Sequence, residues 1–274
     1  MKKKYRFLYV ILALLIILFI LIIVLVINES KVVKYDEYKI NQINKYLSIN
    51  SMYYDGIQEN LKISKYNVDF SSLDSIEVNK MIASYVITNL IPNKEYGYDN
   101  CKECYRYFSK NDNIRFYDVD DIENIYNELF DGNFKKITQE ELLGFNILYY
   151  NKEIDKYYVN VVINSFRPEI ISMFKGYSYN DNMLYLDYYY SNVNYEEDSN
   201  EKDNIDESSE KTYLYNMNDI MVKEIIYSDL FDDNNIPSNY DDYIEYFDVV
   251  RYVFKYDRKL KKYILKNMLL LEEF

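Results

Sequence analysis

Helical periodicity confined to the first half of this chain, and two-residue periodicity in the second, predict an α+β protein with a mainly antiparallel sheet. A third observation sets that domain behind a membrane. Phe7 to Ile27 are 21 consecutive uncharged, almost wholly aliphatic residues. A bilayer's hydrocarbon core is roughly 30 Å thick and a helix rises about 1.5 Å per residue, so ~20 such residues cross it once.

A secretory leader would carry an apolar stretch of about 7–15 residues followed by small residues for cleavage. Here the only alanine in the run is Ala13, the exit is Ile27-Asn28-Glu29-Ser30, and no cysteine stands there to accept a lipid. The reading is an uncleaved transmembrane signal anchor at 7–27 behind a basic cytoplasmic tail at 1–6. Lys2, Lys3, Lys4 and Arg6 precede the span and Glu29 follows it, which keeps the N-terminus inside and the C-terminal domain extracytoplasmic. The cell membrane is therefore the expected location, with one pass.

Residues 28–69 are expected as a juxtamembrane helical region. Val32, Tyr35, Ile40, Ile43 and Leu47 recur at helical spacing, which predicts a helix over 31–47 continuing from the span. The domain proper is expected over 70–274. Its first helix spans Ser75 to Ile91, with Asp74 as cap, Glu77 closing a capping box and Pro92 as the stop. Met81, Ile82, Ala83, Val86 and Ile87 leave it little polar face, which makes it a core helix.

The segment from Asn93 to Phe116 is polar and is expected to be irregular. A second amphipathic helix follows, with Val119, Ile122, Ile125, Tyr126, Leu129 and Phe130 on one face. Asp118 is its expected cap and Gly132 its end. Asp118, Asp120 and Asp121 read as charge stabilisation of that N-terminus rather than as a site. Thr138 to Glu141 matches a capping box for a short helix reaching Gly144.

Beyond residue 146 the period becomes two. Val159, Val161 and Ile163 share one side of a strand, and Tyr158, Asn160 and Asn164 the other. Leu184, Leu186, Tyr188 and Tyr190 alternate next; Val250, Tyr252, Phe254 and Tyr256 alternate near the end. Asp257 to Lys262 then forms a hairpin connection to a last strand, Tyr263 to Leu271. Helices followed by a long meander look like cystatin-like or NTF2-like extracellular domains, a fold analogy that implies no activity.

Residues 195–211 hold eight carboxylates and almost nothing apolar, which predicts a disordered acidic loop. A calcium loop would place carboxylates at alternating positions around a glycine, and no glycine is present.

The net charge is -13, of which the four basic residues ahead of the span contribute +4, leaving -17 for the rest. So acidic an exterior excludes nucleic acid as a partner, because that binding rests on neutralising phosphates. It also disfavours adhesion to anionic lipid headgroups. A surface protein or a glycan remains the expected partner. The 35 tyrosines fill sheet positions by strand preference, or supply contact area that stacks on sugars.

The absence of histidine removes the Ser-His and Cys-His nucleophile pairs and the commonest zinc ligand. Five glycines, none in a phosphate-cradling pattern, support no dinucleotide or nucleotide cofactor. No catalytic residue, cofactor or metal is expected. The one constellation with chemistry is Cys101-Lys102-Glu103-Cys104. It is a structural disulfide or idle thiol pair, a redox pair, or half of an intermolecular link. A redox pair belongs where a strand hands over to a helix N-terminus, which lowers the first thiol's pKa, and Glu103 would oppose the thiolate. The leading expectation is a membrane-anchored, non-enzymatic binding or scaffolding domain. The alternative is a tethered thiol-disulfide oxidoreductase using Cys101 and Cys104.

Overall fold

The structure, a computed structural model, describes residues 14–21, 32–47, 67–92, 94–97, 113–138, 147–161, 170–195, 211–216, 220–226 and 240–271. It is α+β, and its strand pairs are antiparallel apart from one isolated parallel bridge between Ile137 and Tyr149. Among the described residues no helix is long and apolar enough to cross a membrane. Residues 14–21 are helical, and their side chains are each between 52% and 64% exposed.

The helix expected over 31–47 starts later, at Glu37. Residues 32–36 have no regular structure, and α1 runs Glu37–Leu47. The Asp36 carboxylate accepts from the Lys39 backbone N–H at 2.9 Å, an N-terminal cap inside the stretch expected to be continuous helix. Ile40, Ile43 and Leu47 line the buried face as the spacing predicts. That face joins the principal core, so the segment expected as a juxtamembrane region supplies α1 to the domain, together with β1 (Asn67–Asp69).

Helix α2, Ser75–Asn89, forms as its capping signals predict. Asp74 Oδ1 accepts from the backbone N–H groups of Ile76 and Glu77, and Glu77 Oε2 accepts from the Asp74 N–H at 2.8 Å. Met81, Ile82, Ala83, Val86 and Ile87 are buried in the principal core.

The stretch expected to be irregular contains β2 (Lys94–Gly97) and β3 (Asn113–Asp118), which pair antiparallel. Helix α3, Val119–Leu129, follows β3 directly, and β4 (Tyr149–Asn151) and β5 (Lys156–Val161) complete a four-stranded sheet in the order β2-β3-β5-β4. Strands therefore interleave with the helices instead of following them. The expected short helix lies outside the described residues, which include of it only Thr138, its expected cap.

Both faces of this small sheet are covered. Tyr117, Tyr157 and Val159 enter the principal core, while Ile114, Phe116 and Tyr158 face a second cluster with Ile137, Ile147, Tyr149 and Ile76. Tyr158, expected on the outward side, is 8% exposed for this reason. A strand buried on both faces loses its polar-apolar alternation, which is why β3 escaped the sequence reading.

The larger sheet holds seven strands. It adds β6 (Ile170–Asn180), β7 (Met183–Tyr195), β8 (Lys211–Tyr215), β9 (Met221–Ile226), β10 (Asp248–Asp257) and β11 (Lys262–Leu271), with β1 at one edge. It is no simple meander. Along its 13 residues β7 pairs with β6 on one edge; on the other it meets β10 through Met183 to Tyr190 and β8 through Asn192 to Tyr195.

The two long alternations hold. Leu184, Leu186, Tyr188 and Tyr190 on β7, and Val250, Tyr252, Phe254 and Tyr256 on β10, all enter the principal core beneath the helices. Farther along β7 the buried side switches, and Val193 faces a third cluster with Ile171, Leu214, Ile225 and Phe247. A 3-10 helix, Tyr240–Tyr246, packs Tyr240, Tyr243, Ile244 and Tyr246 against that cluster. The hairpin from Asp257 to Lys262 forms as expected, with Asp257 Oδ1 accepting from the N–H groups of Lys259 and Leu260 and Lys261 taking a left-handed φ of 54°.

Candidate functional site

Because the even residues of β7 point into the core, Tyr185, Asp187 and Tyr189 point to the opposite face of the sheet. Register then decides what they meet. In an antiparallel pair, residues directly across share a face, and Asp187 stands across from Arg251 while Tyr185 stands across from Val253. Arg251 donates from Nε to Asp187 Oδ1 at 2.7 Å and from Nη2 to Oδ2 at 2.8 Å, a two-pronged pair.

The guanidinium carbon lies 4.9 Å from the centroid of the Tyr185 ring. Beside it Lys175 Nζ sits 4.8 Å over the Tyr189 ring. The Arg251 and Asp187 side chains keep 29% and 19% exposure, and on the same face Val249 and Val253 are buried, so the pair is only partly reached by solvent. Hydrogen bonding to Asp187 raises the Arg251 pKa above its ordinary value, and the pair therefore offers fixed charges and ring faces rather than a transferable proton. Planar donors beside aromatic faces suit a polar ligand such as a sugar or a peptide.

A second concentration of tyrosine stands on the core side at one end of the same sheet. The Tyr35 hydroxyl accepts from the Tyr263 backbone N–H at 2.9 Å, and the Tyr35 N–H donates to the Tyr179 hydroxyl at 3.0 Å. The rings of Tyr35, Tyr179 and Tyr256 each pack on Tyr263, at centroid distances of 5.0, 5.8 and 5.1 Å. Tyr263 is fully buried, and burial pushes its phenol up to about 12. This cluster is packing: it seats the incoming chain on the sheet.

Cys101 and Cys104 lie outside the described residues. Their flanks are described: Gly97 and Asn113 are register partners, so the segment that carries the thiols leaves and rejoins the sheet at one place, as the connection between β2 and β3.

The acidic stretch 195–211 also falls outside the described residues except at its ends. Tyr195 and Lys211 are strand residues, so the acidic stretch joins two hydrogen-bonded neighbours, β7 and β8. Among the described residues, no group of three or more His, Cys, Asp or Glu side chains is placed to hold a metal.

Of the triad at the start of α3, Asp120 and Asp121 are exposed in its first turn as expected. Asp118 departs from expectation. It occupies the cap position without a side-chain cap hydrogen bond and instead pairs with Lys156, its register partner across β3 and β5. The sheet contact competes with the helix cap for one carboxylate and takes it.

The Arg251 and Asp187 pair went unread in the sequence because its members are 64 residues apart. A signal was present all the same: in two strands with apolar even positions, a carboxylate and a guanidinium occupy odd ones. Compared with known protein families, curated proteins and solved structures, the chain finds no match.

Proposed function

We propose that this protein is a single-pass, membrane-anchored extracytoplasmic domain that binds a polar surface ligand, a protein or a glycan, without transforming it. The observation that carries the reading is the division of the large sheet into two unlike faces. One is turned to the helices and the principal core; the other carries the part-exposed Arg251 and Asp187 pair with Tyr185, and exposed Lys175 over Tyr189, alongside Val249 and Val253, which are buried. The anchor reading is supported by the uncharged run from Phe7 to Ile27 and by the exposed apolar helix at 14–21. A cystatin-like or NTF2-like layout is the finer form of the fold reading. It is supported by the helix at Ser75–Asn89, which lies in one core with the antiparallel strands.

The test uses the full chain in lipid nanodiscs, screened against glycan arrays and cell-surface protein extracts. Binding should weaken at least tenfold in Tyr185→Ala and Arg251→Ala, a loss of about 1.4 kcal/mol or more. Turnover of any substrate that one carboxylate substitution abolishes would overturn the non-enzymatic reading.

The alternative, a thiol-disulfide oxidoreductase acting through Cys101 and Cys104, rests on the spacing of the two thiols. It requires a mixed disulfide trapped by Cys104→Ser with a model dithiol. Thiols that stay unreactive until the domain is denatured would end it.

A further inference from the structure

We infer that the large sheet carries, over Gly176, a notch that takes a neutral sugar ring by two adjacent hydroxyls. The inference rests on the ligand-site reading above and narrows its ligand to a glycan. Register places Asp187 between two unlike neighbours: Arg251 stands across from it on β10, and Gly176 stands across from it on β6. A Cβ at Gly176 would meet no described atom within 4 Å, so the flank of Asp187 turned away from Arg251 is open.

The walls follow from the same register. Tyr185 and Tyr189 flank Asp187 on the same face of β7, with backbones about 13 Å apart. Ser178, small and exposed, stands across from Tyr185. A bulge falls between Phe174 and Gly176 and leaves Lys175 without a partner in the β7 register. Bulges re-aim side chains, and Lys175 is exposed with its Nζ 4.8 Å over the Tyr189 ring. Among the described residues β6 pairs with β7 alone, so the notch also opens at the sheet edge.

The groups around the notch select the ligand. Arg251 occupies one lone pair on each Asp187 oxygen, and each oxygen keeps another for a donor entering over Gly176. Two neighbouring acceptors match two neighbouring hydroxyls. The charges of Arg251 and Asp187 offset each other, which favours an uncharged donor over an ammonium, and Lys175 can donate to a further sugar oxygen. Arg251 reaches the Tyr185 ring from the β10 side. Across β6 that ring has Ser178 as its register neighbour, which leaves it as an apolar surface for the C–H face of a sugar.

The test is saturation-transfer NMR on the full chain in lipid nanodiscs, with the methyl glycosides of glucose, galactose and mannose as probes and a permethylated glucoside as control. Transfer is expected from at least one hexoside and not from the permethylated sugar, which has no hydroxyl to donate. Asp187→Asn should weaken binding by at least about tenfold. Should that variant fail to fold, Ser178→Arg, at an exposed position, fills the notch from β6 and should abolish transfer while circular dichroism stays unchanged. No transfer from any hexoside, equal transfer from the permethylated sugar, or binding unchanged in folded Ser178→Arg overturns the sugar site. Capture of a surface protein that Arg251→Ala abolishes, with no hexoside bound, overturns the sugar site and leaves the broader ligand site standing.

Discussion

The side-chain amide of Asn79 makes both backbone hydrogen bonds of Leu148, donating from Nδ2 to its carbonyl at 2.9 Å and accepting its N–H on Oδ1 at 2.8 Å. Both residues are fully buried. A helix side chain here supplies what a neighbouring strand would, just before β4 begins at Tyr149. It joins α2 to the small sheet across 69 residues of sequence.

Asn79→Ala should cost about 3 kcal/mol in chemical denaturation, because two buried backbone groups lose their partners. Asn79→Asp separates the donor from the acceptor. Its carboxylate would face the Leu148 carbonyl, and burial with that repulsion raises its pKa in the fold. The sign follows: the protonated acid is the form the fold tolerates, so the variant should be closest to wild type in acid and lose stability as pH rises through that raised pKa. A variant equally stable across the acidic range would contradict this account.

The phenols of Tyr35 and Tyr263 should respond oppositely to deletion of one oxygen. Tyr35→Phe removes the acceptor for the Tyr263 N–H and should cost about 1–2 kcal/mol. The Tyr263 hydroxyl is buried without a hydrogen-bond partner among the described residues, so Tyr263→Phe should be neutral or stabilising. Paired urea titrations read the difference.

Alkali should unfold the domain over a defined window. Burial pushes the phenols of Tyr252 and Tyr263 up to about 12, and that of Tyr157 higher still, from an ordinary value of 10.0. Below 10.0 the folded and unfolded chains hold the same phenolic protons and stability is intact. Between 10.0 and about 12 the unfolded chain sheds protons that the folded chain keeps, so stability falls with rising pH, by up to roughly 1.4 kcal/mol per pH unit for each tyrosine. Ionisation followed by ultraviolet absorbance should coincide with loss of circular dichroism for these residues. Full ionisation with the fold retained would contradict the burial.

Lys262 closes the C-terminal end of α3, donating Nζ to the Phe130 carbonyl at 2.7 Å and to the Asn127 carbonyl. Burial lowers its pKa, yet the cation faces the negative end of the helix dipole. Lys262→Met should cost about 1–2 kcal/mol and loosen hydrogen-exchange protection at the last turn of α3 before it does so in β10.

Local patterns were legible in the residues wherever the deciding contact spans a few positions. The capping box of α2 is made by Asp74 and Glu77 alone, and the alternations of β7 and β10 follow from one buried face each. The strands β1, β2, β3, β4, β6, β8 and β9 were not legible. β3 is covered on both faces, and β6 and β8 carry bulges or switch their buried side, so no single two-residue period runs through them.

Asp118 shows where such reading stops. Its place before an amphipathic helix makes it a cap by every local criterion, yet it is also the last residue of β3, and the register sets Lys156 across from it. Arg251 and Asp187 meet by the same cause. The capping box of α2, the apolar stripes and the membrane-length run are properties of neighbours in the chain, and the residues alone dictate them. Which strand lies beside which, and so which distant charges and phenols come into contact, is settled only when the cores close, because burial of apolar faces selects the register and every polar encounter follows from it.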